Sequence, residues 1–139
     1  MKTLVIYYSY SGRTKVVAEQ VAGENSADLA EILDAKRPGT FKAYTAGCIA
    51  ALKGKTWPIL PLEVDFGAYD RLILMAPIWA SNPAPAFNSI LEVLPEGKTV
   101  VLKMISASGE SKCKERLESL IAAKGCKLES FEDVKVERK

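Results

Sequence analysis

Three hydroxyls around one glycine are the groups in this chain best placed for chemistry: Ser9, Ser11 and Thr14, within Ser9-Tyr10-Ser11-Gly12-Arg13-Thr14. Each hydroxyl can donate a hydrogen bond, and Gly12 lets the backbone approach an anion with no Cβ in the way. The run follows Leu4-Val5-Ile6-Tyr7-Tyr8, an unbroken apolar stretch of the kind buried on both faces of a parallel sheet. Behind it, residues 15–22 set Val17 and Val21 one helical turn apart. Strand, hydroxyl loop and helix start together suit a phosphate, because the first N–H groups of a helix lack internal partners and its dipole favours negative charge there. The loop has neither the GxxxxGK(S/T) of a P-loop nor GxGxxG, and no cysteine nucleophile. It is therefore suited to holding a phosphate and not to breaking one. The competing reading is that Ser9 and Ser11 only cap the helix.

Two further loops follow apolar strands. Pro77-Ile78-Trp79-Ala80-Ser81-Asn82-Pro83-Ala84-Pro85 offers Trp79 as a flat platform for a planar ligand, or as a cover for the end of the core. Ser106-Ala107-Ser108-Gly109-Glu110-Ser111 offers small residues whose N–H groups can meet polar ligand edges, or serve the turn itself. In an open parallel sheet such loops share the carboxyl edge, where ligands bind.

Composition narrows the chemistry. With no histidine, Ser-His-Asp and Cys-His catalysis are excluded. Cys48, Cys113 and Cys126 form no CxxC pair, which argues against zinc and disulfides and for a reducing cytoplasm; all three are expected as small apolar residues in or near the core. The formal charge of +2 and the alternating signs of Lys135 to Lys139 give no nucleic-acid arm, only a solvated end. No apolar run approaches a membrane span or a signal peptide.

The elements that must position these loops alternate as in an α/β domain, with residues 1–139 read as one domain. Strands are expected at 3–8, 27–33, 71–78, 99–105 and 127–136. Between 36 and 62, Phe41, Tyr44, Cys48 and Leu52 recur at helical spacing, before a loop with Trp57, Pro58 and Pro61. Phe87, Ile90, Leu91 and Leu94 mark the next helix, and Cys113, Leu117, Leu120 and Ile121 the last, stopped by Gly125.

On these residues the chain resembles the flavodoxins over essentially its whole length. The family's phosphate loop, (T/S)-x-(T/S)-G-x-T, is matched by Ser9 to Thr14, and its second loop, Pro-(V/I)-Trp-Ala-Gly-x-Pro-Ala-Pro, by Pro77 to Pro85. The resemblance implies a three-layer α/β sandwich with a five-stranded parallel sheet in the order 2-1-3-4-5, and non-covalent FMN. By position, Ser9, Tyr10, Ser11, Gly12, Arg13 and Thr14 would cradle the phosphate. Pro77, Ile78, Trp79, Ala80, Ser81 and Asn82 would border the isoalloxazine, with Trp79 on one face. Ser106, Ala107, Ser108 and Gly109 would meet its pyrimidine edge. No catalytic residue and no metal are implied. The implied role is electron transfer between redox partner proteins, a reductase or an acceptor, by a monomer that meets neither nucleic acid nor membrane. The alternatives are an NAD(P)H-dependent FMN reductase or quinone oxidoreductase of the same fold, and a binding module without flavin.

Three departures stand out. Many flavodoxins are strongly acidic and this chain is not, so partner encounters are expected to depend only gently on salt. Ser81 replaces a glycine, with Asn82 the better candidate for a left-handed backbone. The third loop lacks an aromatic, leaving one ring face uncovered.

Overall fold

The computed structural model describes residues 2–136; residues 137–139 of the alternating C-terminal end lie outside the described residues. Strands β1 (Thr3–Tyr7), β2 (Asp28–Glu31), β3 (Arg71–Trp79), β5 (Thr99–Ser106) and β6 (Lys127–Lys135) make a parallel sheet in the order β2-β1-β3-β5-β6. This is the order the resemblance implies. A two-residue strand, β4 (Asn82–Pro83), was not foreseen; it folds back antiparallel on the end of β3, pairing Ile78 with Pro83 and Trp79 with Asn82. β2 is shorter than expected and lies at the edge, where one side of its backbone has no partner strand among the described residues.

The longer helices are α1 (Arg13–Asn25), α2 (residues 40–52), α3 (Pro85–Glu92) and α4 (Lys114–Ala123). They divide unequally between the two faces. One core holds Leu4, Ile6, Leu72, Leu74, Val100, Leu102 and Met104, covered by Phe87, Ile90 and Leu91 of α3 and Leu117 and Ile121 of α4. The other holds Val5, Tyr7, Ile73, Met75, Val101 and Ile105 against Ala18 and Ala22 of α1. Alternate residues of each strand feed opposite cores, so the central strands read as continuous apolar runs. On α1's face, β6 turns polar toward the sheet edge. There Lys103 pairs with Glu132 at 2.6 Å and Arg71 with Glu129 at 2.8 Å.

α2 comprises an α turn Thr40–Lys42, a π turn Ala43–Gly47 and an α segment Cys48–Leu52. Its apolar spacing marks a helix, but that stripe faces outward. Phe41 and Tyr44 are 82% and 80% exposed, whereas Ala43, Gly47, Ala50 and Ala51 are buried. The reason is clearance: small residues let the helix backbone come close to the aromatic end of the sheet. Of the three thiols, Cys113 and Cys126 are buried as expected, while Cys48 is only half-buried.

Candidate functional site

At the carboxyl ends of β1, β3 and β5 lies a cavity of about 540 Å³. The loop after β1 contributes Tyr10, Ser11, Arg13 and Thr14 to its wall. The end of β3 contributes Pro77, Ile78, Trp79 and Ala80, and the end of β5 contributes Ile105, Ser106 and Ala107. Ser81 and Ser108 line an adjoining cavity of about 590 Å³, which shares Ile78, Ala80, Ser106 and Ala107 with the first. Ser9, Gly12, Asn82 and Gly109 line neither cavity and instead shape the loops.

The first loop divides the two readings of its hydroxyls between different residues. Ser9 Oγ accepts hydrogen bonds from the N–H groups of Gly12 (3.1 Å) and Lys15 (3.2 Å), so Ser9 caps α1. The hydroxyls of Ser11 and Thr14 and the N–H groups of Arg13 and Thr14 make no hydrogen bond among the described residues. Gly12 has φ +98, which L side chains rarely adopt, and a Cβ there would meet nothing within 4 Å. What the loop needs at Gly12 is its backbone conformation, with open space in front of it. The result is a set of donors at a helix N-terminus with room before them, an arrangement that binds anions.

Tyr10 fixes this loop to the segment before α2. Its hydroxyl donates to the Pro38 carbonyl (2.9 Å), its own carbonyl accepts from Arg37 (2.7 Å), and the Arg37 guanidinium lies 4.1 Å from its ring centre. Beneath it, the buried Tyr8 hydroxyl donates to Asp34 at 2.6 Å. Burial, and then that hydrogen bond, push the phenol's pKa above its ordinary value of 10.0.

Trp79 both lines the cavity and seals the core end. Its ring meets Tyr8, Tyr10 and Trp57 edge-on, with centroids 6.3, 5.6 and 6.3 Å away. After it, Ala80 (φ +49) and Ser81 (φ +66) form the two-residue turn of the β3–β4 hairpin, both in the left-handed region. Two positive φ values in such a loop mark the turn whose twist matches its strands. Asn82 is not one of them: it is buried in β4, its amide donating to the Ala80 carbonyl at 3.3 Å. The Ser81 carbonyl accepts from the N–H of Lys112 at 2.8 Å, tying the hairpin to the segment before α4.

The third loop spends part of its polarity on itself. Gly109 N–H donates to Ser106 Oγ (2.9 Å) and Glu110 N–H to Ser108 Oγ (3.2 Å). Beyond it, Ser111 donates to Asp133 at 2.6 Å, and burial pushes the neighbouring Cys113 thiol's pKa up.

Sequence reasoning missed the wall built by α2, where Thr40, Ala43, Tyr44 and Cys48 line the same cavity. The expectation of an uncovered ring face rested on the third loop alone; α2 adds the aromatic Tyr44 to the cavity wall. The signal was present in the i, i+4 spacing of Tyr44 and Cys48, read only as evidence for a helix.

No protein-family model and no curated protein sequence matches this chain. Solved structures do. A flavoprotein from Lactobacillus acidophilus NCFM, crystallised in complex with FMN, is 24% identical, with a TM-score of 0.78 over 94% of this chain and 91% of that one. The apo form of the flavoprotein from the same organism, solved by NMR, is 24% identical with a TM-score of 0.69 over 95% and 92%. Oxidised flavodoxin 2 from Bacillus cereus is 20% identical, with a TM-score of 0.55 over 100% and 88%. At such identities the likeness is one of fold: the chain has the flavodoxin-like fold.

Proposed function

We propose, from this flavodoxin-like fold and the cavity at its sheet edge, that the chain binds FMN non-covalently and carries electrons between redox proteins. The observation that carries the reading is one cavity joining free donors at a helix start to an aromatic wall. FMN fits the residues present. Its phosphate suits the hydroxyls of Ser11 and Thr14 and the N–H groups of Arg13 and Thr14, with Gly12 leaving the approach open. Its ring suits the space beside Trp79 and Tyr44, with Ser106 and Ala107 at the polar edge. The flavin supplies the redox chemistry, and the chain supplies binding, orientation and exclusion of water. The solved flavoprotein with FMN supports this reading by its shared fold. Three free thiols suit a cytoplasmic setting.

An NAD(P)H-dependent reductase is the second reading, favoured by the adjoining cavity of about 590 Å³, which leaves room for a second small substrate. Flavin titration tests the first: FMN binds more tightly than riboflavin. Thr14→Ala and Ser11→Ala each weaken FMN by about tenfold or more and leave riboflavin nearly unchanged, since each removes one hydrogen bond to a charged group of ~1.5–3 kcal/mol. Equal affinities for FMN and riboflavin would defeat the phosphate assignment. Rapid bleaching of the FMN-loaded protein by NADPH would favour the reductase.

A further inference from the structure

We infer that α2 and its flanks form a docking face for an acidic redox protein; this rests on the electron-carrier reading above. The chain's near-neutral total conceals a strong local imbalance. Residues 35–58 carry Lys36, Arg37, Lys42, Lys53 and Lys55 and no Asp or Glu, all five of them exposed. With 19 basic and 17 acidic residues in all, the remainder holds 14 basic against 17 acidic, so +5 on this segment faces −3 elsewhere.

Along the sequence the cations flank an apolar stripe. Phe41 (82% exposed), Tyr44 (80%), Ile49 (56%) and Leu52 (63%) lie outward on α2, a density of exposed large side chains that marks an interaction surface. The stripe continues into the proposed flavin cavity through Tyr44 and Cys48. Two of the five charges sit near the same mouth. Arg37 lies against Tyr10, and Lys42 Nζ is 5.7 Å from the Trp57 ring, which itself packs on Trp79.

These five cations form no salt bridge among the described residues, and so many unpaired cations call for a partner rich in Asp and Glu. A second copy seated face to face would oppose like charges. A protein partner is favoured over a lipid surface because the stripe ends at the cavity mouth, where an electron must cross to a seated acceptor. Such a partner has the opposite charge to the one an acid-rimmed carrier attracts. It also replaces the gentle salt dependence expected from the total charge with a steep one, since local charges and not totals steer encounter.

The test titrates the FMN-loaded protein with an acidic two-iron ferredoxin and, for contrast, a basic c-type cytochrome. Binding to the ferredoxin should be tight at low salt and weaken by about tenfold or more at physiological salt, with little binding to the cytochrome. Combined Lys42→Gln, Lys53→Gln and Lys55→Gln should remove most of the low-salt affinity and flatten the salt dependence. Combined Phe41→Ser and Leu52→Ser should weaken binding at every salt concentration and keep the slope. None of these five residues lines the cavity, so FMN affinity and melting temperature check that both variants fold. Ferredoxin binding indifferent to both variants, or preference for the cytochrome, overturns the inference. So does sedimentation with phosphatidylserine vesicles that the charge variant loses while ferredoxin does not bind, which would make this a membrane face. A dimer that the Phe41 and Leu52 variant dissociates would assign the face to a second copy and overturn it likewise. If the wild type binds no FMN, the carrier reading falls, and ferredoxin titration of the flavin-free protein still decides the docking face.

Discussion

A methyl group added at Gly47 would sit 2.7 Å from Cζ3 of Trp79 and 3.1 Å from the Trp57 ring, closer than packed carbons approach. The alanine itself would favour the helix by up to about 1 kcal/mol. Displacing two packed indoles costs more, about 1–3 kcal/mol on the scale of overpacked cores. Gly47→Ala is therefore expected to lower the melting temperature and to weaken FMN by pushing Trp79 into the cavity. A variant with unchanged melting and flavin affinity would show that the indoles yield freely. Tyr8 gives a second prediction, in pH. Its folded-state pKa lies above that of the unfolded chain, so the stability it contributes is complete below pH 10. Above that, the unfolded phenol releases its proton while the folded one keeps it, and stability falls as pH rises. Tyr8→Phe should cost about 1.5–3 kcal/mol at neutral pH, the worth of a hydrogen bond to a carboxylate. Its stability should then fall less steeply than the wild type's in alkaline melts. Equal alkaline slopes would place that sensitivity elsewhere, for instance at Tyr7, whose pKa is also raised.

At the level of elements, the β3–β4 hairpin and α2 escaped the sequence for different physical reasons. The usual mark of a two-residue hairpin is Asn-Gly or Asp-Gly, since both central residues need positive φ. Here Ala80-Ser81 occupies the turn and carries no such mark. An L-residue in that conformation costs roughly 1–2 kcal/mol, and glycine's extra freedom in the unfolded chain returns roughly 0.5–1 of it. Ser81→Gly should therefore stabilise the protein by about 0.5–1 kcal/mol in denaturant unfolding, with the Lys112 N–H still bonded to its carbonyl. A loss of stability would mean that the Ser81 side chain contributes more than its backbone costs. In α2, periodicity gave the helix but not its orientation. Large apolar residues ordinarily face inward, yet close contact with Trp79 requires Gly47 there, with Ala43 buried on the same side, and Phe41 and Tyr44 are left outside.

For the molecule as a whole, the sheet was readable because strands buried on both faces leave unbroken apolar runs, as in Leu72 to Ala76. The loops at its carboxyl edge were readable from turn chemistry. The local charge imbalance was hidden because a sum over the chain discards position. Strand order carries a further consequence. β1 is made first, yet both strands that flank it, β2 and β3, are made later, and β3 ends about 70 residues downstream at Trp79. At ~5–20 residues per second, a ribosome takes about 4–14 s to cover that distance. For that interval Leu4 to Tyr8 leave the exit tunnel without their central pairing, open to holdase chaperones or to another nascent chain, and β1 gains its central neighbour only when β3 has been translated.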